Sequence, residues 1–502
     1  MKYALGLASV LGLIAGAATA QSFSVDRIVF DDSAYLEPEV LDGIASEYVS
    51  RPITLDSLNE LVDRVQTLYG EAGIVTAQAL VPPQTITDGT LRISLVEATI
   101  GAVEVDGFPD TDPTFLTGNL TLPVGARPDY EALERDLRIF DIAHDIAPQL
   151  EFAPGDMPET TRVVITGEPP PRLSFTLSAD NYGREETGIA RLSAFARYRS
   201  VTGVRDTLSA QVTASEGSTA VSLGYSRPVG PAGGRLIASA GYTESQIISG
   251  PFAPVDIRSD STTAQISYRR PFRVEPFSHW FWEAGVAYDR SVSEILGTEF
   301  SDISLWEVFA EVSREWRTER AAWAISAGVQ IGEAEAQGTT ETEGRYTIIY
   351  GDVGYGRPLG QDFVFEGNLR FQYAQDENLP VARLITGGGV GNVRGYPNDA
   401  RSGDSGFVAN LQVTRTTPWL LWEDRVEVNP FGFVDVAAIV PFRVDGSFDP
   451  DQDWLVSAGL GATARFNDRA AAVLTVGVPL RETLGFEDTG EAQVYLGVDY
   501  RF

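Results

Sequence analysis

The sequence predicts an exported, two-part chain: two small α+β domains of β-α-α-β-β order, then an all-β transmembrane barrel of about 16 antiparallel strands. Three observations carry this expectation. The first twenty residues have the form of a cleaved export signal, the segment up to a run of three prolines mixes helical and strand periodicities, and everything beyond that run alternates with period two.

Residues 1–20 start with Lys2, run through an apolar stretch from Ala4 to Ala17 and end on Ala18-Thr19-Ala20, with small residues at the two positions a signal peptidase reads. Cleavage is expected to leave Gln21 as the mature start. The stretch is short against the roughly 20 apolar residues of a spanning helix, and no later run approaches that length. A chain of this kind crosses a membrane only as a closed barrel.

The first domain is expected over residues 21–98. A strand from Val25 to Phe30 leads to a helix with Pro38 in its first turn that runs to about Tyr48. A second helix, capped near Thr54 or Asp56, places Leu58, Leu61, Val62, Val65, Leu68 and Tyr69 on one face and ends at Gly73. Strands over Val75–Val81 and Thr90–Val96 follow, divided by Pro82-Pro83 and Asp88-Gly89. The second domain, residues 99–168, repeats the order. It has a strand from Ile100 to Val105, a short helix near Asp112–Gly118 and a longer one over Asp129–Ile142. A hairpin of Gln149–Phe152 with Thr161–Thr166 then closes around Pro154-Gly155.

Residues 169–172, which contain Pro169-Pro170-Pro171, read as a linker, because consecutive prolines bar both helix and central strand. From residue 173 to residue 502 the pattern is that of strands. Leu208, Ala210, Val212 and Ala214 alternate with polar neighbours, as do Trp306, Val308, Ala310 and Val312. Alternation also suits a soluble sandwich, so the membrane assignment rests on more than that. At roughly 20 residues per strand and connection the segment makes about sixteen strands. Tyr198, Tyr225, Tyr242, Tyr268 and Tyr288 fall near expected strand ends, where an interfacial girdle wants aromatics. The last strand sets Val494, Leu496, Val498, Tyr500 and Phe502 on one face and ends on the aromatic.

Composition narrows function. The chain has no cysteine, which removes disulfides, thiol catalysis and thiolate metal sites. Its 70 acidic and 38 basic residues give a formal charge of −32, which argues against nucleic acid as a partner. Acidic loops on a solvated surface account for that balance.

Several motifs carry a family resemblance. Gly387-Gly388-Gly389-Val390-Gly391-Asn392-Val393-Arg394-Gly395-Tyr396, followed by Ser402-Gly403-Asp404-Ser405-Gly406, resembles the inward-folded loop of the two-partner (type Vb) secretion transporters. These form the haemolysin-activator and haemagglutinin-exporter family of ShlB/FhaC/HecB type, within the superfamily of barrel-assembly factors. Phe433-Val434-Asp435-Val436-Ala437 resembles the wall motif whose acid meets the loop arginine. Ala79-Leu80-Val81-Pro82-Pro83-Gln84 with Asp88-Gly89-Thr90-Leu91 is similar to the first polypeptide-transport-associated (POTRA) domain, and Asp180-Asn181-Tyr182-Gly183 through Thr187-Gly188 to the first barrel hairpin. Val498, Tyr500 and Phe502 resemble the terminal signal read by the barrel-assembly machinery. The resemblance implies two periplasmic POTRA domains, an outer-membrane location, a monomer, no cofactor, and a secreted exoprotein of adhesin or cytolysin type as partner. Two departures stand out: Ala437 replaces the usual glycine, and only Gln21 and Ser22 precede the first domain where relatives often carry a plug helix. The expectation is a pore closed by the loop alone.

Residue chemistry gives the motif a physical sense. Arg394 offers a planar fork that stays charged and Asp435 the matching carboxylate, a pair able to clamp a loop to a wall, while Gly395 permits the tight backbone this requires. Removing one partner from a dry site costs ~3–5 kcal/mol, and much less in a wet channel.

Other motifs carry no chemistry. Gly403-Asp404-Ser405-Gly406 is like a serine-protease nucleophile segment, but His144 and His279 are the only candidate bases, one in the periplasmic part and the other in a barrel loop or strand end. The glycine run before Val393 lacks the Lys-Ser or Lys-Thr of a phosphate loop. Asp449, Asp451 and Asp453 could hold calcium, but Pro450 and the lack of a closing glutamate favour a solvated loop. No metal site and no catalytic residue are expected. The competing functions are insertion of other barrels into the membrane and, more distantly, a passive porin or receptor.

Overall fold

The computed structural model describes residues 22–502 apart from 50, 87, 338–342, 376–377, 424, 441–448, 450–452 and 484–488. The export signal and the expected missing plug fall outside the described residues, as does Asp451 of the calcium candidate. The chain forms two compact units. The first reaches to Glu104 and adds Thr121–Leu133 and Leu150–Ile165; the second holds Val105–Leu120, Glu134–Gln149 and Thr166–Phe502.

The N-terminal elements run β1 (Arg27–Phe30), α1 (Pro38–Val49), α2 (Leu55–Glu71), β2 (Ala77–Leu80), β3 (Thr90–Glu97), β4 (Thr99–Val105), α3 (Pro113–Gly118), α4 (Tyr130–Ala143), β5 (Gln149–Pro154) and β6 (Thr160–Thr166). Each expected element is present within a residue or two. Thr54 caps α2 through a reciprocal pair: its hydroxyl accepts from the Ser57 amide at 3.2 Å, and the Ser57 hydroxyl accepts from the Thr54 amide at 2.7 Å. Asp112 caps α3 by accepting from the Thr114 amide at 2.9 Å, with Pro113 at the first helical position.

In the first unit β1 pairs parallel to β3 and β2 antiparallel to it, and the second sheet has the order β4-β6-β5. Ile28, Leu41, Ile44, Leu61, Val65, Tyr69 and Ile93 form the first core, the helical stripe packing on the inward face of the sheet. At its edge the buried Glu97 carboxylate accepts from the Ser33 hydroxyl, from the Ala34 amide at 2.9 Å, from the Tyr69 hydroxyl at 2.9 Å and from Arg127 at 3.2 Å. Burial pushes the Tyr69 phenol up to about 12, which keeps it a donor. Beside this hub the Tyr35 and Tyr130 rings meet edge-on at 5.8 Å, and the Thr76 and Tyr130 hydroxyls lie 2.8 Å apart.

The second unit contains α3, the C-terminal half of α4 and the barrel. Phe115 and Phe140 pack around His144 at ring separations of 5.2 and 4.5 Å. Burial, and the nearby Arg235, lower the His144 imidazole to about 4, so it is neutral at ordinary pH. Asp145 receives both Nε (2.8 Å) and Nη2 (2.6 Å) of the buried Arg205, and Arg235 donates to the Ala143 carbonyl at 3.0 Å. The tight turn carrying Arg205 is thereby fixed to this helical segment.

The barrel is a closed antiparallel cylinder of sixteen strands in sequence order. One strand is interrupted: Ser405–Arg415 resumes as Trp419–Leu421 on the far side of Pro418. The last strand, Gln493–Arg501, closes on the first, Leu173–Asp180, through the short register Gly497↔Asp180 to Arg501↔Thr176. Alternation sorts the faces. Trp306 and Val308 are 59% and 53% exposed on the outside, while Glu307 between them is 5% exposed and points inward. No described helix is long and apolar enough to cross a membrane.

Two strands, Ser278–Ile295 and Thr298–Arg317, are 18 and 20 residues long, well beyond the ~9–11 a tilted transmembrane strand requires. Tyr268 and Tyr288 consequently lie within strands and not at their ends, because the sheet extends past the hydrocarbon layer. The outer aromatics still form contacts, with Trp316 stacked on Trp323 at 5.5 Å and Tyr355 against Trp323 at 4.3 Å.

Candidate functional site: an infolded loop tied across the lumen

Between the strands Phe363–Ala374 and Ser405–Arg415 the chain turns into the barrel. A short hairpin pairs Ile385–Gly387 with Arg401–Gly403, and the tip between them carries the glycine-rich motif. Val393 and Tyr396 are fully buried there, in a cluster with Ile385, Val408, Ala437, Ile439 and Leu455. An apolar seat on the inner wall thus holds the tip, and the polar contacts decide its register.

Arg394 reaches Asp435 on the wall strand Val426–Val440 with Nε at 2.8 Å and Nη2 at 2.8 Å, and its backbone amide donates to the same carboxylate at 3.0 Å. Nη1 donates to Gln412 at 2.9 Å, and the guanidinium lies 3.5 Å from the Phe433 ring centroid. Asp435 has no exposed side chain and Arg394 retains 12%. A carboxylate in that position requires its cation.

Gly395 adopts φ +101°, and a Cβ there would lie 2.9 Å from the Gly477 backbone; a Cβ on Gly477 would lie 2.7 Å from the Gly395 nitrogen. Loop and wall backbones touch at this point. The Gly395 amide donates to the Tyr495 hydroxyl at 3.0 Å, and Tyr495 donates to the Tyr396 carbonyl at 3.2 Å. The Tyr396 hydroxyl stands 2.7 Å from the Arg481 carbonyl and 3.1 Å from that of Val456. Ala437 is accommodated without a glycine, since an added Cβ on the facing Gly387 would be 3.5 Å from the Ala437 methyl, an ordinary contact.

Further ties lie outside the sequence motif. Arg383, near the start of the loop, forms a bidentate pair with Glu307, its Nη2 standing 2.6 Å from Oε2, and also contacts Asp289. Glu307, nearly fully buried, additionally accepts from Tyr346 and Gln330. These acids belong to Ser278–Ile295 and Thr298–Arg317, well separated around the cylinder from the wall that holds Arg394. Arg401 pairs with the buried Asp453, whose other oxygen accepts from the Asp449 amide at 2.7 Å. Asn398 donates to the Tyr182 and Gly183 carbonyls in the first hairpin loop at 3.2 and 3.0 Å. The loop is therefore a strap with anchors on several sides of the lumen. Beside it a polar cavity of about 490 Å³ is lined by Ser239, Thr263, Gln265, Asp289, Glu307 and Arg383.

The remaining sequence candidates fall elsewhere. Val498, Tyr500 and Phe502 lie on the outer face at the closing seam, with the Phe502 ring 4.7 Å from Tyr500 and 5.5 Å from Phe175. The Ser405 hydroxyl accepts from the Ala374 amide at 2.9 Å, and neither His144 beside α4 nor His279 at the start of Ser278–Ile295 approaches it. Asp453 of the calcium candidate is engaged by Arg401, and no cluster of three metal-binding side chains occurs among the described residues.

The comparisons with known proteins agree with this architecture. The ShlB-type POTRA domain matches residues 23–98, and the haemolysin secretion/activation protein family ShlB/FhaC/HecB matches residues 159–464. The heme/hemopexin transporter protein HuxB of Haemophilus influenzae is 19% identical over 397 residues, covering 75% of this chain and 69% of its own. The outer membrane transporter CdiB of Dickeya dadantii is 22% identical over 433 residues, covering 80% and 73%. Among solved structures, CdiB from Escherichia coli superimposes with a TM-score of 0.69 at 16% identity, covering 98% of this chain and 93% of that one. BamA from Haemophilus ducreyi lacking POTRA domains 1–3 gives 0.60 at 13%, covering 96% and 100%. A POTRA-type front end, a sixteen-stranded outer-membrane barrel and a loop tied into its lumen accompany a sequence match over most of the chain: the protein belongs to the ShlB/FhaC/HecB haemolysin secretion/activation family of two-partner secretion transporters.

Proposed function

We propose that the chain captures an unfolded exoprotein through its periplasmic POTRA domains, with boundaries near residues 21–98 and 99–168, and conducts it through the barrel of residues 173–502 to the cell surface. One observation carries this reading: a closed barrel with a polar inner wall is crossed by a loop held through discrete ion pairs, which is a passage with a removable obstruction. The Arg394–Asp435 pair, seated with Val393, Gly395, Tyr396 and Phe433, acts as the loop-to-barrel lock. Incoming chain pairs by main-chain bonds with an exposed sheet edge, a mode that tolerates varied side chains. No nucleotide drives the passage, and folding of the exoprotein outside makes it one-way. The chain works as a monomer and catalyses no reaction. Val498, Tyr500 and Phe502 serve the assembly machinery during biogenesis.

Deletion of the chain tests this reading. The expected result is loss of one large exoprotein from the medium while other outer-membrane barrels assemble normally. A second reading, insertion of other barrels, is favoured by the short closing register at Gly497–Arg501. Barrel-assembly defects with secretion intact would select it and overturn the first.

A further inference from the structure

The outer surface carries a repeat that translocation does not use. Strands running toward the periplasm carry, in their periplasmic portions, Tyr225-Ser226-Arg227-Pro228, Tyr268-Arg269-Arg270-Pro271, Val312-Ser313-Arg314, Tyr355-Gly356-Arg357-Pro358 and Val413-Thr414-Arg415. These are alternate strands, the fourth to the twelfth of the cylinder. In each, the arginine shares the outward face with exposed apolar residues of the same strand, Leu223, Ile266, Val312, Ile349 and Leu411 respectively. Five guanidinium groups thus stand at one level around the outside of the periplasmic end.

Their neighbours place that level at the membrane interface. Arg270 is opposite Trp282, Arg314 opposite Trp280, Arg357 opposite Phe365 and Arg415 opposite Phe363. The Arg314 guanidinium lies 5.0 and 4.6 Å from the Trp280 and Trp316 rings, and that of Arg415 5.5 Å from Trp419. Among the described residues none of the five takes part in an ion pair. At the opposite end outward arginines have acidic partners, Arg290 with Asp302 at 2.7 Å and Arg345 with Glu333 at 3.8 Å. In a chain of net charge −32, a ring of cations without protein counter-charges points to anions supplied by the surroundings.

We propose that this girdle binds the headgroups of anionic phospholipids in the periplasmic leaflet. The guanidinium fork matches phosphate oxygens two at a time, and those of Arg314 and Arg415 lie over indole rings, which favour the interfacial zone. Charge complementarity selects the anionic phospholipid over the zwitterionic one, because both carry phosphate and only the first lacks a compensating ammonium.

The test uses full-length protein in detergent, titrated with phosphatidylglycerol or with phosphatidylcholine and read by native mass spectrometry. The wild type is expected to retain phosphatidylglycerol preferentially. The variant R227Q/R270Q/R357Q should lose about fivefold in retention per charge removed. R227K/R270K/R357K should keep much of the preference, and R290Q/D302N at the opposite end all of it. Equal retention of the two lipids by the wild type, or an unchanged preference in the glutamine variant, overturns the proposal. Heat-modifiable mobility confirms that each variant is a folded barrel, and single glutamine variants replace the triple if it does not fold.

Discussion

Asp435→Asn preserves side-chain volume and removes only the charge, so it isolates the contribution of the ion pair to seating the loop. The carboxylate accepts three hydrogen bonds from Arg394, at 2.8, 2.8 and 3.0 Å, in a position without solvent access. Stripping the partner from a buried ion costs ~3–5 kcal/mol. Arg394 keeps Gln412 and the Phe433 ring in the variant, which places the loss at the lower end, about 3 kcal/mol. At 1.4 kcal/mol per decade this moves the balance between seated and unseated loop by roughly 100-fold toward the open form. Single-channel recording in planar bilayers reads that balance as the fraction of time spent in high-conductance states. R394A should behave similarly, and R394A/D435A should be little worse than either single variant, because the two residues act through one contact. Wild-type open occupancy in both single variants, with the barrel folded, would refute the reasoning.

The second anchor predicts an independent effect: E307Q weakens the grip on Arg383 and should raise open occupancy further when added to D435N, near-additively, since the two sites lie on separate walls. Gly395→Ala should reproduce the unlocked behaviour with its ion pair chemically intact, because its Cβ would meet the Gly477 backbone at 2.9 Å; normal conductance in that variant would contradict the close approach. His144 gives a pH dependence. Its imidazole is held neutral down to about 4, whereas an unfolded chain takes up the proton from 6.5, so stability is full above that value and falls as the pH drops toward 4, by roughly 3 kcal/mol in all. Limited proteolysis of the α4 segment between pH 7 and about 4 should show this loss, and His144→Phe should flatten the profile. Finally, Glu97→Ala leaves the Tyr69 hydroxyl and the Ala34 amide without their acceptor, a loss of about 1–3 kcal/mol each that hydrogen exchange of α2 in the full-length protein should register.

Much of this was legible in the amino acids because the controlling signals are local. The Thr54 cap, the 3.6-residue stripe of α2, the proline run and the period-two pattern each report on neighbours a few residues away. The Arg394–Asp435 pair was legible for a different reason: both ends sit in recognisable motifs. The Arg383 anchor had no such mark. Alternation shows that Glu307 and Asp289 face inward, but the residue that meets them belongs to a loop whose path across the lumen is set by closure of the whole cylinder. Tyr495 carried no motif to single it out, and Asp453 was read as a metal candidate and not as a partner of Arg401. The strands beyond Tyr268 and Tyr288 exceeded expectation because polar alternation continues outside the bilayer, where period two no longer distinguishes lipid from water.

The Glu97 hub has a mechanical consequence. A carboxylate gripped by a serine, a tyrosine and a backbone amide of one sheet domain and by Arg127 from the segment following β4 leaves little play at the β3–β4 junction. On the proposed capture of cargo by these domains, the two small sheets act as a single stiff gauge, and an extended segment that touches both must supply a fixed stride between its points of attachment. Cargo would be chosen partly by the spacing of its sticky stretches, a property that survives wide divergence in their composition.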